Sequence, residues 1–195
     1  MAVMTEIRWH GRGGQGAKTA ALLTGEAMMS TGFHVQAFPE YGPERRGAPV
    51  QTFNRISDQP ITLHCNVSNP KIVVVLDDTL LEAVDCAAGV LDGGVVIVNT
   101  KVPADAIRAR MKAPAGVRVS CLDASGIAVE TIGKDIPNTP MLGALMAASG
   151  LLKIDELLRD TKKRLEKKFA SKPEVIEGNI KAIEKAYQAM AKETA

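Results

Sequence analysis

Between Lys71 and Ile132 the chain alternates short runs of branched aliphatic residues with stretches of helix formers, and this alternation restricts the fold more than any other feature. Lys71 to Leu76 and Gly94 to Asn99 are nearly continuous Ile and Val, the pattern of strands buried on both faces, and Val117 to Leu122 is a third such run. Asp77 to Val90, Pro103 to Met111 and Ile127 to Ile132 read as the helices that follow them. The repetition predicts an α/β fold, a mostly parallel sheet with helices on both faces. Right-handed crossovers then collect the loops after the strands along one sheet edge, where open α/β sheets bind ligands.

The flanking segments complete the plan. Thr5 to His10, with Ile7 and Trp9 on one side, reads as a strand that runs into glycine, and Ala17 to Ser30 reads as a helix. Phe33 to Phe38 is a second strand, ended by Pro39 and a loop dense in Gly, Pro and Arg. Val50 to Ser57 and Ile61 to Cys65 alternate apolar and polar around Ser57-Asp58-Gln59-Pro60, which predicts an edge β-hairpin. From Asn138 the pattern is purely helical. Pro140 to Leu152 is small and apolar, with Gly143 and Gly150 permitting close helix packing or a buried subunit contact. Two amphipathic helices follow, one with Ile154, Leu157, Leu158, Leu165 and Phe169 on a face, the other with Ile176, Ile180, Ile183, Tyr187 and Met190. The expectation is a single domain over 1–195, with 138–195 as a helical C-terminal segment.

Composition narrows the function classes. A formal net charge of +2 and an aromatic content of 4% do not suit a chain whose task is to neutralise and stack on nucleic acid. Met1 to His10 carries Glu6 and Arg8 in place of an apolar leader, and no run reaches membrane-spanning length, so a cytoplasmic protein with no membrane partner is expected. Cys65, Cys86 and Cys121 are widely spaced and lack metal-binding partners in sequence, so no metal ligands are predicted. The run Lys162-Lys163-Arg164 with Lys167-Lys168 is read as a solvated helix face.

The candidate site is the turn Gly11-Arg12-Gly13-Gly14-Gln15-Gly16. Gly11, Gly13 and Gly16 have dinucleotide-binding spacing between a strand and a helix, where backbone N–H groups and the helix start favour an anion. The same glycines also suit a tight strand-to-helix connection with no ligand. A nicotinamide-dependent enzyme needs an acid at the end of the second strand, and Glu40 alone fits. A nucleotide phosphatase loop needs Lys one position earlier than Lys18, because one residue on a helix is a rotation of about 100°. Ile72 to Asp77 resembles a strand ending in a magnesium-binding Asp, which keeps that second alternative open.

The loop Tyr41-Gly42-Pro43-Glu44-Arg45-Arg46-Gly47 sets a phenol, a carboxylate and two guanidinium groups on a backbone stiffened by proline. It reads either as an ion-paired surface turn or as a contact surface, in both cases near the glycine turn. Ile7 to Lys18, Phe38 to Pro49, Phe53-Asn54-Arg55-Ile56 and Asn138-Thr139-Pro140-Met141-Leu142-Gly143 together resemble the gamma subunits of the pyruvate and ketoisovalerate ferredoxin oxidoreductases, within the 2-oxoacid:acceptor oxidoreductase family. The resemblance implies a complex that oxidatively decarboxylates a 2-oxoacid to an acyl-coenzyme A and passes electrons to ferredoxin or flavodoxin. It places thiamine diphosphate, magnesium and the iron-sulfur clusters in alpha, beta and delta partner subunits, with no cofactor held by this chain alone. On that reading the chain has no catalytic residue and is inactive alone. Gly11, Arg12, Gly13, Gly14, Gln15, Gly16, Tyr41, Glu44, Arg45, Arg46 and Gly47 are then expected to face partner subunits and the phosphates of coenzyme A. The isolated chain is expected to self-associate.

Overall fold

A computed structural model describes residues 4–40 and 47–194. Among them, β1 (Met4–Arg12), β2 (His34–Pro39), β3 (Pro49–Ser57), β4 (Ile72–Val75), β5 (Val95–Asn99) and β6 (Arg118–Leu122) form one sheet in the order β2-β3-β1-β4-β5-β6. β1, β4, β5 and β6 are parallel, while β3 runs antiparallel to both of its neighbours. The α/β fold and its antiparallel edge pair are therefore present.

Each strand divides its side chains between two apolar layers, because successive Cβ atoms point to opposite faces. Ile7, Trp9, Ile72, Val74 and Ile97 pack against α1 (Ala17–Ser30), α3 (Ala124–Ile132), α4 (Asn138–Ser149), α5 (Ile154–Phe169) and α6 (Pro173–Thr194). Val73, Val75, Val96 and Val98 pack on the other face against α2 (Ala104–Arg110) and the segment after β4.

α4 has no solvent stripe: its first nine residues are all buried. A Cβ at Gly143 would come within 2.1 Å of the Ile183 carbonyl oxygen of α6, so this glycine permits close helix packing within the chain. α5 and α6 are the two expected amphipathic helices, and Lys162, Lys163, Lys167 and Lys168 lie on the exposed side of α5.

Two expectations fail. Asp77 to Val90 is only a 3-10 turn, Asp78–Glu82, followed by irregular chain. The Asp85 carboxylate accepts from Ala87 N at 3.1 Å, a local bond that competes with helix continuation. Ile61 to Cys65 is not a strand, and the edge pair is β2 with β3. A strand has two edges, and those of β3 are already occupied by β1 and β2, so nothing remains for a third partner.

Candidate functional site at the glycine turn

β1 ends at Arg12, at the carboxyl end of the parallel strands. Gly14 (φ 100°) and Gly16 (φ 82°) then adopt left-handed conformations that reverse the chain into α1. Gly16 occupies the capping position with no side-chain cap, and Ala20 N donates to its carbonyl at 2.9 Å.

The rest of the turn is knitted to Asp77, just beyond β4. Gln15 accepts from Arg12 N at 2.7 Å and donates through Nε2 to Asp77 Oδ2 at 2.8 Å. Arg12 reaches the same oxygen through Nε at 3.2 Å, Thr79 Oγ1 through Nη2 at 2.7 Å and the Gly47 carbonyl through Nη1 at 3.1 Å. Burial opposes ionisation of Asp77, but hydrogen bonds from Thr79 and Gln15 and the Arg12 charge outweigh it and hold the carboxyl below its ordinary range. Arg12 is thus a neutralised tie within the fold.

The turn is also fastened to the chain that follows the Arg-rich loop. Gly13 N donates to the Ala48 carbonyl at 2.9 Å and Gly47 N to the Gly13 carbonyl at 3.1 Å. Gly11, Arg12, Gly13, Gly14, Gln15, Gly16 and Gly47 therefore come together as one element. Tyr41, Glu44, Arg45 and Arg46 lie outside the described residues. On the other side, Asn138 at the start of α4 donates through Nδ2 to the Gly16 carbonyl at 3.4 Å, and a Cβ at Gly16 would sit 2.6 Å from that nitrogen. Asn138 does not cap α4; it connects α4 to the turn.

Beside the turn a cleft of about 450 Å³ opens over the ends of β4, β5 and β6. Asp77, Asp78, Asp123 and Asp135 line it against a single cation, Lys101. Three of the four are ion-paired, Asp77 with Arg12, Asp78 with Arg110 and Asp123 with Lys101, which neutralises most of this wall. Glu40 lies beyond the end of β2, separated from β1 by β3, and accepts from Asn66 Nδ2 at 3.2 Å. That places it one strand spacing, about 5 Å, beyond the position of a ribose acid in a dinucleotide fold, which ends the strand next to β1. Lys18 is exposed and makes no ion pair among the described residues. Among those residues no three His, Cys, Asp or Glu side chains converge to hold a metal ion, so no donor set for magnesium or an iron-sulfur cluster is assembled.

A second polar constellation was hidden in the alternation of β1 and β3. Arg55 is buried and donates to Glu6 Oε1 at 2.7 Å, to Gln36 Oε1 at 3.3 Å and to the Cys65 carbonyl at 2.7 Å. Arg8 donates to His10 Nε2 at 3.0 Å and to the carbonyls of Cys86 and Ala88 at 3.3 and 2.5 Å. Burial, with Arg8 alongside, pushes the His10 imidazole down to about 3, so the ring stays neutral. On the opposite face Asn54 accepts from Trp9 Nε1 and donates to the Ala21 carbonyl, both at 2.8 Å, which binds β1, β3 and α1 together. Arg8, His10 and Arg55 had no individual signal beyond being the polar partners of Ile7, Trp9 and Ile56.

Residues 6–189 match the family model described as pyruvate ferredoxin/flavodoxin oxidoreductase. A relative from Thermococcus kodakarensis, named pyruvate/ketoisovalerate oxidoreductases common subunit gamma, is 45% identical over 94% of this chain and 96% of its own length. The pyruvate synthase subunit PorC of Thermotoga maritima is 43% identical over 94% of this chain and 93% of its own. The crystal structure of pyruvate oxidoreductase subunit PORC from Thermotoga maritima superposes with a TM-score of 0.82 at 41% identity, covering 95% of this chain and 96% of that one. The fold also recurs in 2-oxoglutarate:ferredoxin oxidoreductase from Magnetococcus marinus, with a TM-score of 0.74 and 23% identity, where this chain matches 31% of a longer polypeptide. The chain belongs to the pyruvate ferredoxin/flavodoxin oxidoreductase family.

Proposed function

We propose that this chain is the gamma subunit of a cytoplasmic 2-oxoacid:ferredoxin oxidoreductase acting on pyruvate. It assembles with alpha, beta and delta subunits that carry thiamine diphosphate, magnesium and the iron-sulfur clusters. The complex oxidatively decarboxylates the 2-oxoacid to acyl-coenzyme A and reduces ferredoxin or flavodoxin. In it the chain is a scaffold and interface subunit, and Arg45 and Arg46 meet the phosphates of coenzyme A.

The observation that carries this reading is the use made of Arg12. Its guanidinium is spent on Asp77, Thr79 and Gly47, so the glycine turn is a braced wall beside the base of the Tyr41 to Gly47 loop. So committed, Arg12 has no free charge to add to the backbone N–H groups of the turn. Arginine forks on the loop suit phosphate through paired charge-assisted hydrogen bonds.

Reconstitution from separately purified subunits tests both levels. Omitting the chain should abolish pyruvate-dependent, coenzyme A-dependent ferredoxin reduction; full activity without it overturns the subunit assignment. The Arg45→Ala, Arg46→Ala double variant should raise the apparent KM for coenzyme A about tenfold or more with kcat retained at saturation. An unchanged KM removes the coenzyme A contact and leaves the subunit role standing.

A further inference from the structure

The outer side of α5 concentrates the positive charge of the chain. From Arg159 to Lys172 stand seven basic residues against two acidic ones, Asp160 and Glu166, although the whole chain carries only +2. Arg159, Lys163 and Lys167 follow one another at the spacing of a helical turn and are all exposed, so they form a row about 12 Å long, with exposed Lys162 beside it. Little of this charge is answered within the chain. Arg164 pairs with Glu26, Arg159 lies 3.7 Å from Asp160, and Lys168 sits over the Phe169 ring at 5.3 Å. Lys162, Lys163, Lys167 and Lys172 make no ion pair among the described residues. The negative end of the α5 dipole favours Lys167 and Lys168 in its last turn, but not Lys162 and Lys163 before it. Arg159 with Lys163, and Lys163 with Lys167, are like charges at i, i+4, a spacing at which repulsion destabilises a helix. Carboxylates brought from outside the chain relieve that repulsion most directly.

We propose that this row is an interface that receives an acidic face of another subunit of the oxidoreductase, an inference that rests on the chain being the gamma subunit. A lasting partner suits a lasting repulsion. Carboxylates set at the same spacing, about 6 Å, pair along the row when the complex assembles, and the charge of each side selects the other. Other polyanions fit less well. A bilayer takes up a basic amphipathic helix through its apolar face, and that of α5 is already committed, with Leu157 in the core and Leu158 packed against it. A nucleic acid strand is held by exposed aromatic platforms beside the cations, and the one aromatic of α5, Phe169, is half-buried beneath Lys168.

Acetylation by a hydroxysuccinimide ester, read by mass spectrometry on the free chain and on the assembled oxidoreductase, should be largely lost at Lys162, Lys163 and Lys167 on assembly. A carbodiimide, which joins an amine to a carboxylate in direct contact, should link these lysines to Asp or Glu of another subunit. The Lys162→Glu, Lys163→Glu, Lys167→Glu triple variant should be held in the complex about tenfold or more less tightly at low salt, whereas Arg at the same three positions, which keeps the charge, should change little. Raising the ionic strength from about 0.05 to about 0.5 M should weaken the native assembly and not that of the Glu variant. Unchanged acetylation on assembly, cross-links confined to this chain, or a Glu variant that assembles as tightly as the native chain overturns the proposal. So does protection that appears only when ferredoxin, RNA or phosphatidylserine vesicles are added. A chain that does not enter the oxidoreductase at all overturns the subunit assignment and this surface with it, whereas assembly that leaves the three lysines reactive overturns the surface alone.

Discussion

The parallel half of the sheet, β4 to β6, and the half made of β2, β3 and β1 are both largely withdrawn from water, by different chemistry. Val73, Val75, Val96 and Val98 meet apolar neighbours on their face. Across the same sheet, Glu6, Arg8, His10 and Arg55 occupy the corresponding positions, and Arg8, His10 and Arg55 are buried too. Aliphatic burial gains free energy simply with area, whereas a buried charge is tolerable only when its hydrogen bonds are made. The aliphatic half therefore needs only helices to cover it. The charged half needs named partners: the carbonyls of residues 65, 66, 86 and 88, the Glu6 carboxylate and the His10 ring.

The comparison breaks if charges and aliphatics turn out equally replaceable. The largest effect is expected from Arg55→Ala, which strands Glu6 and frees the carbonyls of Cys65 and Asn66. It should cost about 3–5 kcal/mol in urea unfolding and expose residues 61–66 to proteolysis. Asn54→Ala, which leaves Trp9 Nε1 unpaired and removes the tie to α1 at the Ala21 carbonyl, should cost about 2 kcal/mol, read the same way. For His10 the unfolded ring takes its proton near its ordinary 6.5 and the folded ring only near 3. Stability is therefore full above the ordinary value and falls as pH drops between the two. His10→Gln should remove up to about 1.4 kcal/mol per pH unit from that slope, seen in Tm measured from pH 6 to 4. Ile97→Val, in the aliphatic half, should cost only about 1 kcal/mol. If Arg55→Ala proves as mild as Ile97→Val, the two halves do not differ as described.

The same contrast explains what was legible in the sequence. Unbroken Ile and Val runs name their own burial, so β4, β5 and β6 were readable, as were the strand, turn and helix around Gly11 to Gly16. Alternation in β1 and β3 revealed strands but not that the polar positions were buried, because their cover comes from irregular chain far along the sequence. Asp77 at the end of an apolar strand suits a metal ligand by sequence, whereas the partners it has in the fold, Arg12 and Gln15, lie 65 and 62 residues away. Ile61 to Cys65 alternates like a strand yet forms none, since the sequence does not record that both edges of β3 are already taken. The convergence of the cleft's aspartates was equally invisible, for Asp77 and Asp78 follow β4, Asp123 follows β6 and Asp135 precedes α4.

The contact between Gly16 and Asn138 has a consequence for how this chain changes over generations. The two positions are 122 residues apart, yet a side chain at one needs the space the other fills. Asn or Asp at position 16, the residues best able to tolerate its left-handed backbone, displaces the Asn138 amide and fits best alongside Ala or Ser at position 138. Drift at either site is therefore tied to drift at the other, and across descendants of this chain the two columns should move as a pair.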